Sequence, residues 1–306
     1  MLMRQHGPRD GGRSEPDTPP EYLRRLGVRP RKALGQHFLI DEFILSDIAD
    51  ACGLGSDSTV LEIGAGPGGL TEELARRSGR VVAVELDEEL AALARGRLAG
   101  YLGLCVLAAD ILDFAPEELL QECDASPPYV ACGNLPYYIT QPVVRRLLES
   151  AAPPERIVVM VQREVARRMV GGAGHESLLS MSVRCYGVAE SLIEVPATAF
   201  WPQPKVQSSV IRIERLAEPA EGGPGGLPVA LRDRFFKLLR AGFSEPRKQL
   251  HNALRSALGL SREETAALLA GAHLDPALRA QHLALEDWRR LYDTVERRRP
   301  ETLDAG

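Results

Sequence analysis

The chain has 306 residues, 44% apolar and 26% charged, ordinary for a folded globular protein and long enough for one large domain and a small one. No apolar run approaches the roughly 20 residues that a membrane-spanning helix needs, so no membrane contact is expected. Net charge is −5, which by itself argues against a polyanion partner, yet residues 1–40 hold 8 basic and 4 acidic side chains and residues 231–299 hold 14 and 9. Two basic ends therefore flank an acidic body, and local charge rather than the sum sets where a nucleic acid docks.

Residues 1–22 carry Gly, Pro, Arg and Asp without an apolar core, which reads as a disordered extension rather than a secretory signal. "RPRKALGQHFLID" follows. It reads either as a helix packed on the main domain or as a lid in which Gln36 to Leu39 fold over a ligand. From Thr59 the pattern alternates: "TVLEI" a strand, "GGLTEELARRS" a helix, "RVVAVEL" a strand, "DEELAALARGRL" an amphipathic helix. "LCVLAAD" and "YVACGN" are strands, "TQPVVRRLLES" a helix, "RIVVMVQ" a strand and "REVARRMV" a helix. Such alternation predicts an α/β domain over 23–216, a Rossmann-like, mostly parallel sheet covered on both faces.

Later the pattern changes. "LLSMSVRCYG" is helical, and "VAESLIEV" and "QSSVIRIER" are strands joined by the proline-rich "PATAFWPQPKV", a loop long enough to suggest a purpose beyond connection. Residues 217–228, "AEPAEGGPGGLP", form a linker by composition. Four helical patterns over 229–299 predict a small RNA-binding helical domain, with 300–306 as a tail. The five cysteines are scattered and lack C-x-x-C spacing, so no metal site is expected, and they read as free thiols of a reduced, cytoplasmic protein.

The chemistry concentrates at strand ends. Gly64, Gly66 and Gly69 satisfy G-x-G-x-x-G between a strand and a helix, a weak dinucleotide signal that also fits a tight turn. Glu62, two residues upstream, disfavours a pyrophosphate and suits a ligand with a cationic amino-acid end. Glu85 stands where an acid grips ribose hydroxyls, and Asp110 where one accepts an adenine amine; either can instead cap a following turn. In open α/β sheets these strand ends converge on one crevice.

"GNLPYY", residues 133–138, adds an amide, a rigid turn and an aromatic face to that crevice. With it, "RPRKALGQHFLID", "VLEIGAGPGGLT", "VVAVELD", "AADIL", "GNLPYYIT" and "FWPQPKVQSSVIRI" stand in the order of the ribosomal RNA adenine dimethyltransferases. Over about residues 24–290 the chain resembles that family of class I S-adenosylmethionine-dependent methyltransferases, and Leu135 resembles its small-subunit branch rather than relatives acting on large-subunit rRNA. The resemblance implies dimethylation of the N6 amines of two neighbouring adenosines near the 3′ end of 16S rRNA, four transfers in all. It implies donor contacts at His37, Leu39, Gly64, Glu85, Asp110 and Asn134. Many relatives have asparagine at position 37 and threonine at position 249, where this chain has histidine and glutamine.

In that reading Asn134 and the Leu135 carbonyl accept the N–H bonds of the adenine amine, Pro136 fixes the turn, and Tyr137 stacks on the base. Phe200 either clamps the other face or, with Trp201, anchors the loop. Tyr138 reads as core or helix-start packing. Arg29, Arg31, Lys32, Lys205, Arg247 and Lys248 are candidate RNA contacts or solvated charges. The expected partner is small-subunit rRNA within an immature ribosomal particle, met by a monomer. The alternatives are a non-catalytic assembly or transcription factor on the same fold, a large-subunit rRNA methyltransferase, and an NAD-dependent oxidoreductase resting on the glycines alone.

Overall fold

The computed structural model describes residues 19–172, 174–216 and 232–304. In chain order it contains α1 (Glu21–Arg25), β1 (Phe38–Leu39), α2 (Glu42–Ala51), β2 (Thr59–Ile63), α3 (Gly69–Ala75), β3 (Arg80–Glu85), α4 (Glu88–Arg97), β4 (Leu104–Ala108), α5 (Pro116–Glu122) and β5 (Val130–Asn134). Then come α6 (Thr140–Glu149), β6 (Arg156–Gln162), α7 (Arg163–Val170), α8 (Leu178–Arg184), β7 (Gly187–Val195), β8 (Phe200–Trp201), β9 (Ser208–Arg215), α9 (Arg232–Phe243), α10 (Leu250–Leu258), α11 (Arg262–Gly271) and α12 (Leu285–Arg298).

Seven strands form one sheet in the order β4-β3-β2-β5-β6-β9-β7. The first five are parallel, and β9 and β7 add antiparallel pairs. The near-continuous apolar strands predicted from sequence are buried because helices cover both faces. One face carries Leu61, Ile63, Val82 and Val84, and the other Val60, Val81, Ala83 and Cys132. Strand order reverses at β2, between β3 and β5, and that switch point places a crevice beyond the carboxyl ends of β2, β3 and β5.

The C-terminal helices share the first core. Phe235, Phe236, Leu239, Trp288 and Tyr292 continue the cluster that begins at the sheet, and Tyr186 after α8 stacks on Phe236 with ring centroids 6.1 Å apart. Glu21 and Tyr22, in the expected extension, are helical, and Leu303, in the expected tail, is buried. The expected linker and the first eighteen residues lie outside the described residues.

Three features depart from the sequence reading. Helices α2 and α5 have no counterpart in the predicted alternation. "RPRKALGQHFLID" is not a helix: a short 3₁₀ turn (Lys32–Leu34) leads into β1, which pairs antiparallel with β8 in a separate two-stranded sheet. The proline-rich loop thus holds the N-terminal segment in place. Finally, the cysteines are not all free: Cys105 on β4 and Cys123 after α5 are disulfide-bonded, while Cys52, Cys132 and Cys185 are free and buried. The pair stands 18 positions apart in sequence, but the fold brings their Cα atoms to 5.9 Å, within bonding reach.

Candidate active site

The crevice at the switch point is a cavity lined by Gly64 and Gly66, by Glu85, by Asp110 with Ile111 and Leu112, by residues 134–139, and by residues 34–38. Each wall has a local cause. The glycine loop leaves β2 in a left-handed conformation, with φ of 81° at Gly64 and 54° at Gly66, which L side chains rarely adopt. The Gly64 and Ala65 N–H groups donate to the Val84 carbonyl at 2.8 and 3.3 Å, pinning the loop to β3. A Cβ at Gly64 would meet the Asn134 carbonyl oxygen at 3.3 Å, and one at Gly66 the Phe38 ring at 3.4 Å. Bare backbone therefore faces the cavity between the donor and acceptor sides.

Glu85 closes β3 with its carboxylate at the cavity wall. Its Oε2 accepts the Gly66 N–H at 2.7 Å and its Oε1 the Asp87 N–H at 2.9 Å. Burial raises the Glu85 carboxyl above the usual range, and these two N–H bonds oppose that rise. Each oxygen keeps a second lone-pair site for a ligand hydroxyl. Asp110 accepts the Leu112 N–H through Oδ1 at 2.9 Å, which shapes the turn and leaves Oδ2 available. Both acids therefore serve as turn caps and line the cavity.

On the opposite wall, β5 ends at Asn134. Its Nδ2 donates to the His37 carbonyl at 3.1 Å. A carbonyl can only accept, so this bond fixes the amide orientation and leaves Oδ1 as a free acceptor. His37 is held in turn: its Nδ1 lies 2.6 Å from the Pro202 carbonyl and must carry the proton. Leu135 is 1% exposed, its side chain in the core and its N–H on the Met160 carbonyl. The Pro136 carbonyl accepts the Ile139 N–H and the Thr140 hydroxyl, so the turn runs directly into α6. Tyr137 is half-buried, near-parallel to the His37 ring at 6.2 Å, with its hydroxyl 3.1 Å from Ser208 Oγ. Burial raises its pKa, so the phenol stays protonated near neutrality.

Several sequence expectations are corrected here. Glu62 does not line the cavity; it is 0% exposed, beneath the glycine loop beside Thr71. Burial pushes its carboxyl up to about 7, and the neighbouring Thr71 hydroxyl opposes that rise. Phe200 is only 4% exposed and, with Leu39 opposite it in the β1–β8 pair, packs into the core rather than the cavity. That burial fits the loop-anchor alternative. Leu39 is buried behind residues 34–38, which line the cavity. Tyr138 is not core: it is 58% exposed at the cavity mouth, close to Gly35.

Among the candidate RNA contacts, Arg31 is engaged, its Nε 3.2 Å from Asp87 and its NH2 3.2 Å from Glu89. Lys248 pairs with Glu245 in the turn between α9 and α10. Arg29, Lys32, Lys205 and Arg247 are exposed and make no ion pair among the described residues. Sequence reading missed Asp87. Its position before "EE" marks a helix N-cap, which it is, but nothing local signalled its partners on the N-terminal segment.

The profile of the ribosomal RNA adenine dimethylase family matches residues 27–297. A protein of Dehalococcoides mccartyi named ribosomal RNA small subunit methyltransferase A is 42% identical over 271 residues, covering 89% of this chain and 90% of that protein. A protein of Bacillus licheniformis with the same name is 37% identical, over 90% and 94%. Among solved structures, the 23S rRNA methyltransferase ErmE superposes with a TM-score of 0.67 at 29% identity, over 85% of this chain and 99% of that one. A Plasmodium falciparum dimethyladenosine transferase, 23% identical, superposes with a TM-score of 0.70 over 85% and 98% and supports the fold. These matches displace the dinucleotide reading of the glycine loop. The chain belongs to the ribosomal RNA adenine dimethylase family.

Proposed function

We propose that this protein dimethylates the N6 amines of two adjacent adenosines near the 3′ end of small-subunit rRNA, using S-adenosylmethionine. The observation that carries the reading is the Asn134 amide, held by the His37 carbonyl so that its oxygen is the free acceptor beside the bare glycine loop. The donor set fits S-adenosylmethionine: Glu85 suits the ribose hydroxyls, Asp110 the adenine amine, and Ile63, Val84, Ile111 and Leu112 supply apolar walls for the ring. When bound, that donor supplies an already electrophilic methyl group.

What the chain must do is position the acceptor and shape the charge around it. The adenine amine is a poor nucleophile because its lone pair is conjugated into the ring. Asn134 Oδ1 and the Leu135 carbonyl accept its N–H bonds, drawing the nitrogen toward a tetrahedral shape and freeing that pair. Pro136 contributes no competing N–H, and the Tyr137 ring, braced by His37 and Ser208, offers a stacking face. A monomethylated amine keeps one N–H and so remains a substrate in the same pocket. No strong general base is required if the proton leaves after transfer.

We further infer that the substrate is an immature small-subunit particle in the cytoplasm. The protein would act there as a monomer. Exposed Arg29, Lys32, Lys205 and Arg247 are the proposed phosphate contacts. The test is methyl incorporation by purified protein into small-subunit particles from cells lacking the modification, with the modified positions mapped. Label in two adjacent adenosines of 16S rRNA is expected; incorporation into 23S rRNA alone, or none, overturns the reading.

A further inference from the structure

Residues 31–39 touch the rest of the protein at a rear attachment and a front attachment of different character. At the rear, Phe38 and Leu39 are buried, pair with Trp201 and Phe200, and are secured by the Ile40 N–H on the Ala199 carbonyl at 2.9 Å. At the front, an ion pair and hydrogen bonds make the contact. Asp87 Oδ2 receives the Gln36 Nε2–H at 3.2 Å and faces Arg31 Nε at 3.2 Å, while the Arg31 N–H donates to Gln36 Oε1 at 2.7 Å. Within the front attachment, between Arg31 and Gln36, Gly35 takes a left-handed conformation. The Arg31 side chain is 47% exposed and that of Asp87 only 2%.

Asp87 is joined to the candidate site. Its N–H donates to Glu85 Oε1, and its Oδ1 caps α4 by accepting the Glu89 N–H at 3.1 Å. The same segment reaches the acceptor side, where the His37 carbonyl orients Asn134. Residues 34–38 line the cavity, so the front attachment stands at its wall.

We propose that Arg31, Gln36 and Asp87 form a latch that closes the N-terminal segment over the donor, with Asp87 as a positioning residue linking closure to Glu85. The proposal rests on the donor reading above. A buried apolar rear is a fixed hinge, whereas the front rests on one ion pair and two hydrogen bonds whose Arg31 side already reaches water. Closing it retains the donor and completes the Asn134 wall together, so affinity and acceptor geometry change as one event.

Calorimetric titration with S-adenosylhomocysteine tests it, on wild type, Arg31→Gln, Asp87→Asn and the double variant. Asparagine still caps α4, and Arg31 is exposed enough that its loss leaves folding intact. Each single variant should weaken binding about five-fold, and the double variant should be no weaker than either single one, because all remove one coupled contact. Added NaCl should weaken wild-type binding more than that of Arg31→Gln. Unchanged affinity in both single variants, additive losses, or equal salt dependence would overturn the latch while leaving the donor site standing. Failure of the wild type to bind would overturn both.

Discussion

Replacing Asn134 with alanine separates the two jobs that the structure gives this amide. The first is structural: one neutral, half-buried hydrogen bond of 3.1 Å to the His37 carbonyl. Its loss should lower stability by about 1 kcal/mol, a fall of a few degrees in melting temperature. The second is chemical: an acceptor oxygen aimed at the amine, where positive charge develops during transfer. Removing one such preorganised partner costs about 3–4 kcal/mol of transition-state stabilisation, or roughly 10²–10³ in kcat. Donor affinity should change by less than about ten-fold, because Glu85 and Asp110 remain. The assay is radiolabelled methyl incorporation into unmethylated small-subunit particles, with calorimetric titration of S-adenosylhomocysteine alongside. A kcat within about three-fold of wild type in a folded variant would show that Asn134 holds the lid and takes no part in the transfer.

Other expectations follow from the same geometry. Tyr137→Phe loses only the hydroxyl contact to Ser208 and should keep most activity, whereas Tyr137→Ala loses the stacking face, worth about 1–3 kcal/mol, and should lower kcat/KM accordingly. Equal losses in the two variants would assign the role to the hydroxyl. Glu62 gives a pH signature. Its folded pKa of about 7 lies above the ordinary carboxyl value, so the folded state binds more protons and stability falls as pH rises from about 4.5 to about 7. Glu62→Gln should therefore gain on wild type across that window, by up to about 3 kcal/mol, and urea melts at pH 5 and pH 8 should show the gap widening. Gly133→Ala would place a Cβ 2.3 Å from the Ile63 carbonyl, between β5 and β2. Thermal melts should show a loss of about 1–3 kcal/mol, and unchanged stability would contradict the close approach of these strands.

By itself the sequence determined the parallel sheet, the glycine loop and the acids at the strand ends. These depend on local signals: apolar runs of strand length, glycines where φ must be positive, and carboxylates at or just after strand ends. The turn at residues 133–138 was legible for the same reason, since proline and asparagine announce special backbone and bonding needs within a few residues. Tertiary structure alone decided what stands opposite them. Phe38 and Leu39 offered too short an apolar run to read as a strand, and became one only because Phe200 and Trp201, far along the chain, supply its partner. That pairing buries Phe200. Arg31 looked like a surface cation until the fold set it against Asp87, and Glu62 looked like a ligand contact until helix α3 covered it. Cys105 and Cys123 carried no motif spacing, and only the packing of β4 beside the end of α5 brings them within bonding distance. Each of these outcomes depends on contacts between segments distant in sequence, and a pattern read along the chain holds no information about which side chain arrives from elsewhere.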